Sequence, residues 1–157
     1  MGAGGAVAIW LAAGCSGQVD VVAPRPTGIT NEQCIALIAA VPDQVAGQGQ
    51  RAVTPDDALA AAWGDPAIVL RCGVQRPALL RRDSACFAVN DVGWFAEQGG
   101  RPVTGRTAVE GDVVFTTIGR SAYVELTVPG DYEPAADALV DVAEAVARET
   151  SYPNPCQ

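Results

Sequence analysis

The stretch DVVFTTIGRSAYVELTV, residues 112–128, decides the fold. Val124, Leu126 and Val128 alternate with Tyr123, Glu125 and Thr127, a period of two that turns one set to a core and the other to water. Gly119-Arg120-Ser121 separates this arm from the β-rich run ahead of it, so residues 112–118 and 122–128 form a hairpin. A hairpin with one wet face needs an apolar layer on the other, and the flanking sequence has to supply it.

Residues 67–74 and 86–98 read as two further strands, with Gly93 marking a bulge before Trp94. Two helices are expected ahead of them. Thr30 caps residues 31–41, Gln33 completes a capping box, and Pro42 stops the helix. Thr54-Pro55-Asp56-Asp57 opens the second, whose face is Leu59, Ala62 and Trp63 and whose end is Gly64-Asp65-Pro66. After the hairpin, Leu139, Val142 and Val146 stripe a helix over residues 134–149. The expected fold is α+β: a mainly antiparallel four-stranded sheet with two N-terminal helices and one C-terminal helix. Residues 30–157 form one domain with one core.

Composition closes off several chemistries. The chain has no histidine, and all ten of its basic residues are arginine. Ser–His and Cys–His dyads, histidine metal sites and Schiff-base lysines are therefore absent together. The net charge of −8 disfavours nucleic acid as a partner. Residues 71–106 run against this trend, with six arginines and only Asp83, Asp91 and Glu97. Arginine-rich solvated loops account for the excess in the plain case. In the sharper case it is a basic patch for an acidic envelope polymer or partner protein.

Residues 1–19 carry no charge, and their apolar run, residues 3–13, is too short for the roughly 30 Å of a bilayer core. It has the length of an export-signal core. Ala12-Ala13-Gly14-Cys15 followed by Ser16-Gly17-Gln18 resembles the lipobox of bacterial lipoproteins, in which the cysteine thiol is lipidated and the chain is cut just before it. Two departures keep rivals open: Ala12 stands where leucine is usual, and no arginine or lysine precedes the run. The expectation is an export signal over residues 1–14, lipidation at Cys15, a flexible tether over residues 15–29, and a place on the outer face of the cytoplasmic membrane. A single uncleaved N-terminal membrane helix and a soluble secreted form are the alternatives.

Five cysteines, Cys15, Cys34, Cys72, Cys86 and Cys156, leave four for pairing if Cys15 is acylated. Cys34 shares a helical stripe with Leu37, Ile38 and Val41 and so faces the core. Cys156 lies in a proline-rich tail that needs fixing, which suggests Cys34–Cys156. Cys72 and Cys86 sit in consecutive strands and would pair locally. Two disulfides are expected, with buried free thiols as the plain alternative. No Cys-x-x-Cys is present, so neither a zinc knuckle nor a redox site is supported, and no metal or cofactor is expected.

The blocks Ala61-Ala62-Trp63-Gly64-Asp65-Pro66, Val69-Leu70-Arg71-Cys72-Gly73, Val92-Gly93-Trp94 and Phe115-Thr116-Thr117-Ile118-Gly119-Arg120, with Tyr123 to Pro129 after them, form a specific combination. Over residues 31–148 the chain resembles the actinobacterial family catalogued as domain of unknown function 3515. The resemblance implies a small exported protein with a lipobox or membrane segment, and it implies no activity.

No residue set announces catalysis. Ser121 lacks the glycine two places on that a nucleophile elbow needs, since Tyr123 stands there. Asp137, Asp141 and Glu144 line one helix face without the spacing of a calcium loop. Paired acids alone can hydrolyse glycosides, so a carboxylate-based hydrolase of envelope glycans is the second functional expectation. A structural subunit of a membrane complex, held by an uncleaved N-terminal helix, is the third. The first is a non-enzymatic binding module on the cell envelope. Its candidate face is Arg71, Arg120, Tyr123 and Glu125; ordinary Arg–carboxylate pairs are the plain alternative for the two arginines. Trp63 and Trp94 are expected in the core.

Overall fold

The computed structural model describes residues 17–105 and 111–151. In chain order its elements are β1 (Val19–Asp20), α1 (Gly28–Ala40), β2 (Gln44–Val45), β3 (Gln48–Arg51), β4 (Val53–Thr54), β5 (Ala60–Trp63), β6 (Ile68–Cys72), β7 (Phe87–Val89), β8 (Val92–Gln98), β9 (Arg101–Pro102), β10 (Val113–Ile118), β11 (Val124–Val128) and α2 (Ala136–Glu149).

The hairpin forms as its alternation dictates. β10 pairs with β11 from Val113↔Val128 to Thr116↔Glu125, and the pair lies inside a nine-stranded antiparallel sheet ordered β2-β3-β5-β6-β11-β10-β8-β7, with β9 added to β8. β1 and β4 make a separate two-stranded parallel sheet. Only two helices are present among the described residues. The expected four-stranded sheet with three helices is therefore overturned.

The largest departure from expectation concerns residues 54–63. Thr54-Pro55-Asp56-Asp57 does not open a helix; it ends β4 and turns, with Ala58 N–H donating to Pro55 C=O at 3.1 Å. Ala60, Ala61, Ala62 and Trp63 then form a strand between β3 and β6, and all four are buried. Alanine's helix preference amounts to tenths of a kcal/mol per residue, and a strand slot closed on both faces outweighs it. The run 86–98 also divides. Val89 and Val92 close a two-residue turn in which Asn90 and Asp91 both have positive φ, 46° and 65°, so β7 and β8 make a hairpin of their own. Gly93 sits in regular register opposite Ile118 and Ala88, where a bulge was expected. Thr30 lies inside α1, whose N-cap position is Thr27.

One face of the sheet carries the core. Ala61, Leu70, Leu126, Phe115 and Ala96 stand in one cross-strand row on it. Both helices pack against that face, α1 through Cys34, Leu37 and Ile38 and α2 through Leu139, Val142 and Val146. Trp63 and Trp94 are fully buried, as expected of core residues. Trp63 Nε1 donates to Pro42 C=O at 2.9 Å.

Cys34 of α1 is bonded to Cys72 of β6, with Cα atoms 5.4 Å apart. Both expected pairings, Cys34–Cys156 and Cys72–Cys86, are thereby overturned. Cys34 faces the core as its helical stripe predicts, but Cys72 ends a strand on the face that α1 covers, so the two sulfurs meet in the core. The bridge closes a separation of 38 residues, worth about 4 kcal/mol by loop-closure entropy. Cys15 and Cys156 lie outside the described residues.

The segment ahead of α1 is laid on the rest of the domain. Val19 N–H donates to Ala52 C=O and Val21 N–H to Thr54 C=O, both at 2.9 Å. Gly73, at φ +83°, lets the Pro26 ring approach so closely that any Cβ there would collide with it.

Candidate functional site

The alternation of the central hairpin sends Arg71, Glu125, Thr116 and Phe95 to the sheet face opposite the helices, one cross-strand row over β6, β11, β10 and β8. Arg71 donates to Glu125 Oε1 from Nη2 at 2.6 Å and from Nε at 3.0 Å, and its Nη1 reaches Val22 C=O at 3.2 Å. The plain alternative of an Arg–carboxylate pair thus holds for Arg71, between two strands rather than between sheet and helix. Arg71 and Glu125 line a cleft of about 470 Å³ whose other wall is the segment Val22 to Pro26.

Arg120 is elsewhere. From the hairpin tip its Nε donates to Thr150 Oγ1 at 2.6 Å, and its Nη2 donates to the carbonyls of Ala147, at 2.7 Å, and Thr150. These are the carbonyls left unpaired at the end of α2, so the guanidinium caps the helix and ties it to the sheet. Burial pulls the Arg120 pKa below its ordinary value. Ser121 Oγ donates to Gln33 Oε1 at 2.9 Å, a turn serine linking the tip to α1. Arg120 therefore does not share an open face with Arg71 and Glu125.

Tyr123 lines a second recess of about 490 Å³, between the loop after β6 and the turn of the central hairpin. Three arginines of that loop, Arg76, Arg81 and Arg82, line it with Ser84 and Cys86. The loop is held by Arg81 N–H on Ser84 Oγ at 2.8 Å and by Arg81 Nη1 on Ala78 C=O at 3.0 Å. Among the described residues no carboxylate lies within ion-pair distance of Arg76, Arg81 or Arg82, Asp83 beside them included. All three are exposed. Arg76 lines both this recess and the Arg71–Glu125 cleft, so the two adjoin through it.

Of the four expected residues, the structure thus brings Arg71 and Glu125 into one cleft, places Tyr123 in the adjoining recess, and removes Arg120. Arg76, Arg81 and Arg82 were missed as individual residues. Their signal was present in the arginine excess of residues 71–106, which points to a region and names no side chain. Glu97, on β8, has an altered proton affinity: burial raises its pKa, and the Glu125 charge raises it further. Among the described residues no cluster of three or more acids or cysteines is arranged to hold a metal ion. No helix among them is long and apolar enough to cross a membrane.

The family model described as "Protein of unknown function (DUF3515)" matches residues 6–154. The chain belongs to that family. No curated protein and no solved structure matches it. Membership in DUF3515 bears out the family resemblance, and it assigns neither a reaction nor a ligand.

Proposed function

We propose that this DUF3515 protein is an exported, lipid-anchored envelope protein that binds an anionic polymer in its arginine-lined recess without transforming it. One observation carries the binding: Arg76, Arg81 and Arg82 surround a concavity with no carboxylate among the described residues to neutralise them. Three arginines lining one recess in a chain of net charge −8 make a local positive field that disfavours cations and favours phosphodiester or carboxylate groups. The lipobox-like segment supports the compartment, where anionic polymers are at hand.

Binding is tested by titrating the full chain with polyphosphate, polygalacturonate and neutral dextran at low and high salt. The expected result is binding of one or both polyanions that weakens with salt, no binding of dextran, and at least tenfold weaker binding in an R76A/R81A/R82A variant. Equal binding of dextran, or an unaffected triple variant, overturns the proposal. For the anchor, intact-mass analysis of membrane-extracted protein is expected to give a chain beginning at Cys15 with added acyl mass, and an unprocessed Met1 species refutes it.

The action of the Glu125 charge on Glu97 favours a second reading, carboxylate-based hydrolysis of an envelope glycan. Against it, Glu125 is committed to Arg71, and Glu97 lines neither the cleft nor the arginine recess. Release of reducing ends from envelope glycan, lost in both Glu97→Gln and Glu125→Gln, would replace the binding proposal with this one.

A further inference from the structure

The N-terminal end of α2 stops short of covering the sheet and leaves a cavity of about 550 Å³ between them. Its walls are Phe87, Val103, Val113 and Phe115 from the sheet side and Tyr132 and Pro134 from the approach to α2, with Ala96 at the floor. Among the described residues no arginine borders it, and Glu133 is the one charged lining residue. The volume falls within the range of small-molecule sites, and most of the wall it offers a ligand is carbon. A polyanion has no place in it. The cavity and the arginine recess therefore take different chemistries.

The path of the chain indicates what reaches this cavity. Tyr132, in its wall, donates from Oη to Pro66 C=O at 2.6 Å and packs against Gly64 so closely that a Cβ there would clash. Gly64 C=O accepts from Arg51 Nη1 at 2.8 Å, and Arg51 Nη2 donates to Gly17 C=O at 2.6 Å. Gly17 is thus fixed, through one arginine, to the loop on which the cavity wall rests. Cys15 is two residues away in sequence, and two residues span at most about 7 Å. A membrane anchor at Cys15 would bring the bilayer surface to the side of the domain that holds the cavity.

We infer that the apolar cavity takes up one acyl chain of a membrane lipid. The inference borrows the position of the bilayer from the anchor proposed above, while the apolar lining stands without it. A site of this kind binds through methylene burial, so affinity is expected to rise about fourfold for each added methylene until the cavity is full.

The test is calorimetric titration of the detergent-free full chain, wild type and Cys15→Ser, with a series of 1-monoacylglycerols of increasing chain length. The expected result is the fourfold increment per methylene followed by a plateau, in both proteins. Ala96→Leu, which fills the floor, and Ala135→Phe, at the rim, are each expected to weaken binding at least tenfold. The rim variant keeps the test decisive if the buried one fails to fold. Binding by Cys15→Ser with none by lipidated wild type supports the site and names the protein's own anchor as the source of the chain. Absence of a chain-length dependence, or binding unchanged in a folded variant, overturns the inference. Mass analysis showing an unprocessed chain that still binds the series removes the anchor and leaves the cavity assignment standing.

Discussion

Arg71 and Glu125 oppose each other across β6 and β11 and share one carboxylate oxygen between two guanidinium nitrogens. Both side chains are largely covered, 26% and 16% exposed, by residues 22–26 running over the strand pair. A double-mutant cycle of Arg71→Ala and Glu125→Ala is expected to give a coupling of about 1 kcal/mol in urea melts, the size of a cross-strand ion pair that is not fully buried. Arg71→Ala alone should cost more than Glu125→Ala, because Arg71 also holds Val22 C=O. Limited proteolysis of Arg71→Ala is then expected to cut first within residues 17–26.

Arg120 supplies a different kind of link. Its guanidinium is the donor for several acceptors at the end of α2, including Thr150 Oγ1, whose own proton goes to Val146 C=O at 2.6 Å. Arg120→Ala leaves those carbonyls short of donors in a partly buried place, and is expected to lower stability by about 2–3 kcal/mol in chemical denaturation. Arg120→Lys should recover under half of this, since an ammonium cannot reproduce the fork. Polyanion binding should be unchanged in Arg120→Lys, which separates this arginine from Arg76, Arg81 and Arg82.

The covalent link is tested most directly. Peptide mapping of unreduced protein is expected to yield Cys34 joined to Cys72, and Cys34→Ser with Cys72→Ser to cost about 4 kcal/mol. Both cysteines have no exposed surface, so the bridge of the native protein should resist mild reductant and yield only once denaturant is added.

What was legible in the sequence follows from what each signal depends on. The alternation in residues 122–128 and the stripe of Leu139, Val142 and Val146 are set by one buried face each, and both elements formed where that periodicity placed them. Ala60 to Trp63 is buried on both sides, so it has no period to read, and its alanines mimic a helix. β2, β3 and β9 are two to four residues long and rich in Gln, Gly and Arg; their strand state comes from the partner beside them. The site divides in the same way. Arg71 and Glu125 were visible because strand alternation assigns a face. Arg76, Arg81 and Arg82 stand in a loop without periodicity, and only their summed charge showed.

Glu97 provides a pH signature. Its pKa is raised in the folded protein, by burial first and by the Glu125 charge second. The folded state therefore holds this proton more tightly than the unfolded chain, and the contribution of Glu97 to stability falls as pH rises from about 4.5 through the folded pKa. Glu97→Gln removes that contribution. Thermal melts of wild type and Glu97→Gln should differ little at pH 4 and diverge above it, with the variant the more stable at pH 7. Glu125→Gln should shrink the divergence, because it deletes a charge that opposes ionisation of Glu97 and so brings the folded pKa back toward its ordinary value. Parallel melting curves for wild type and Glu97→Gln from pH 4 to pH 7 would refute the assignment.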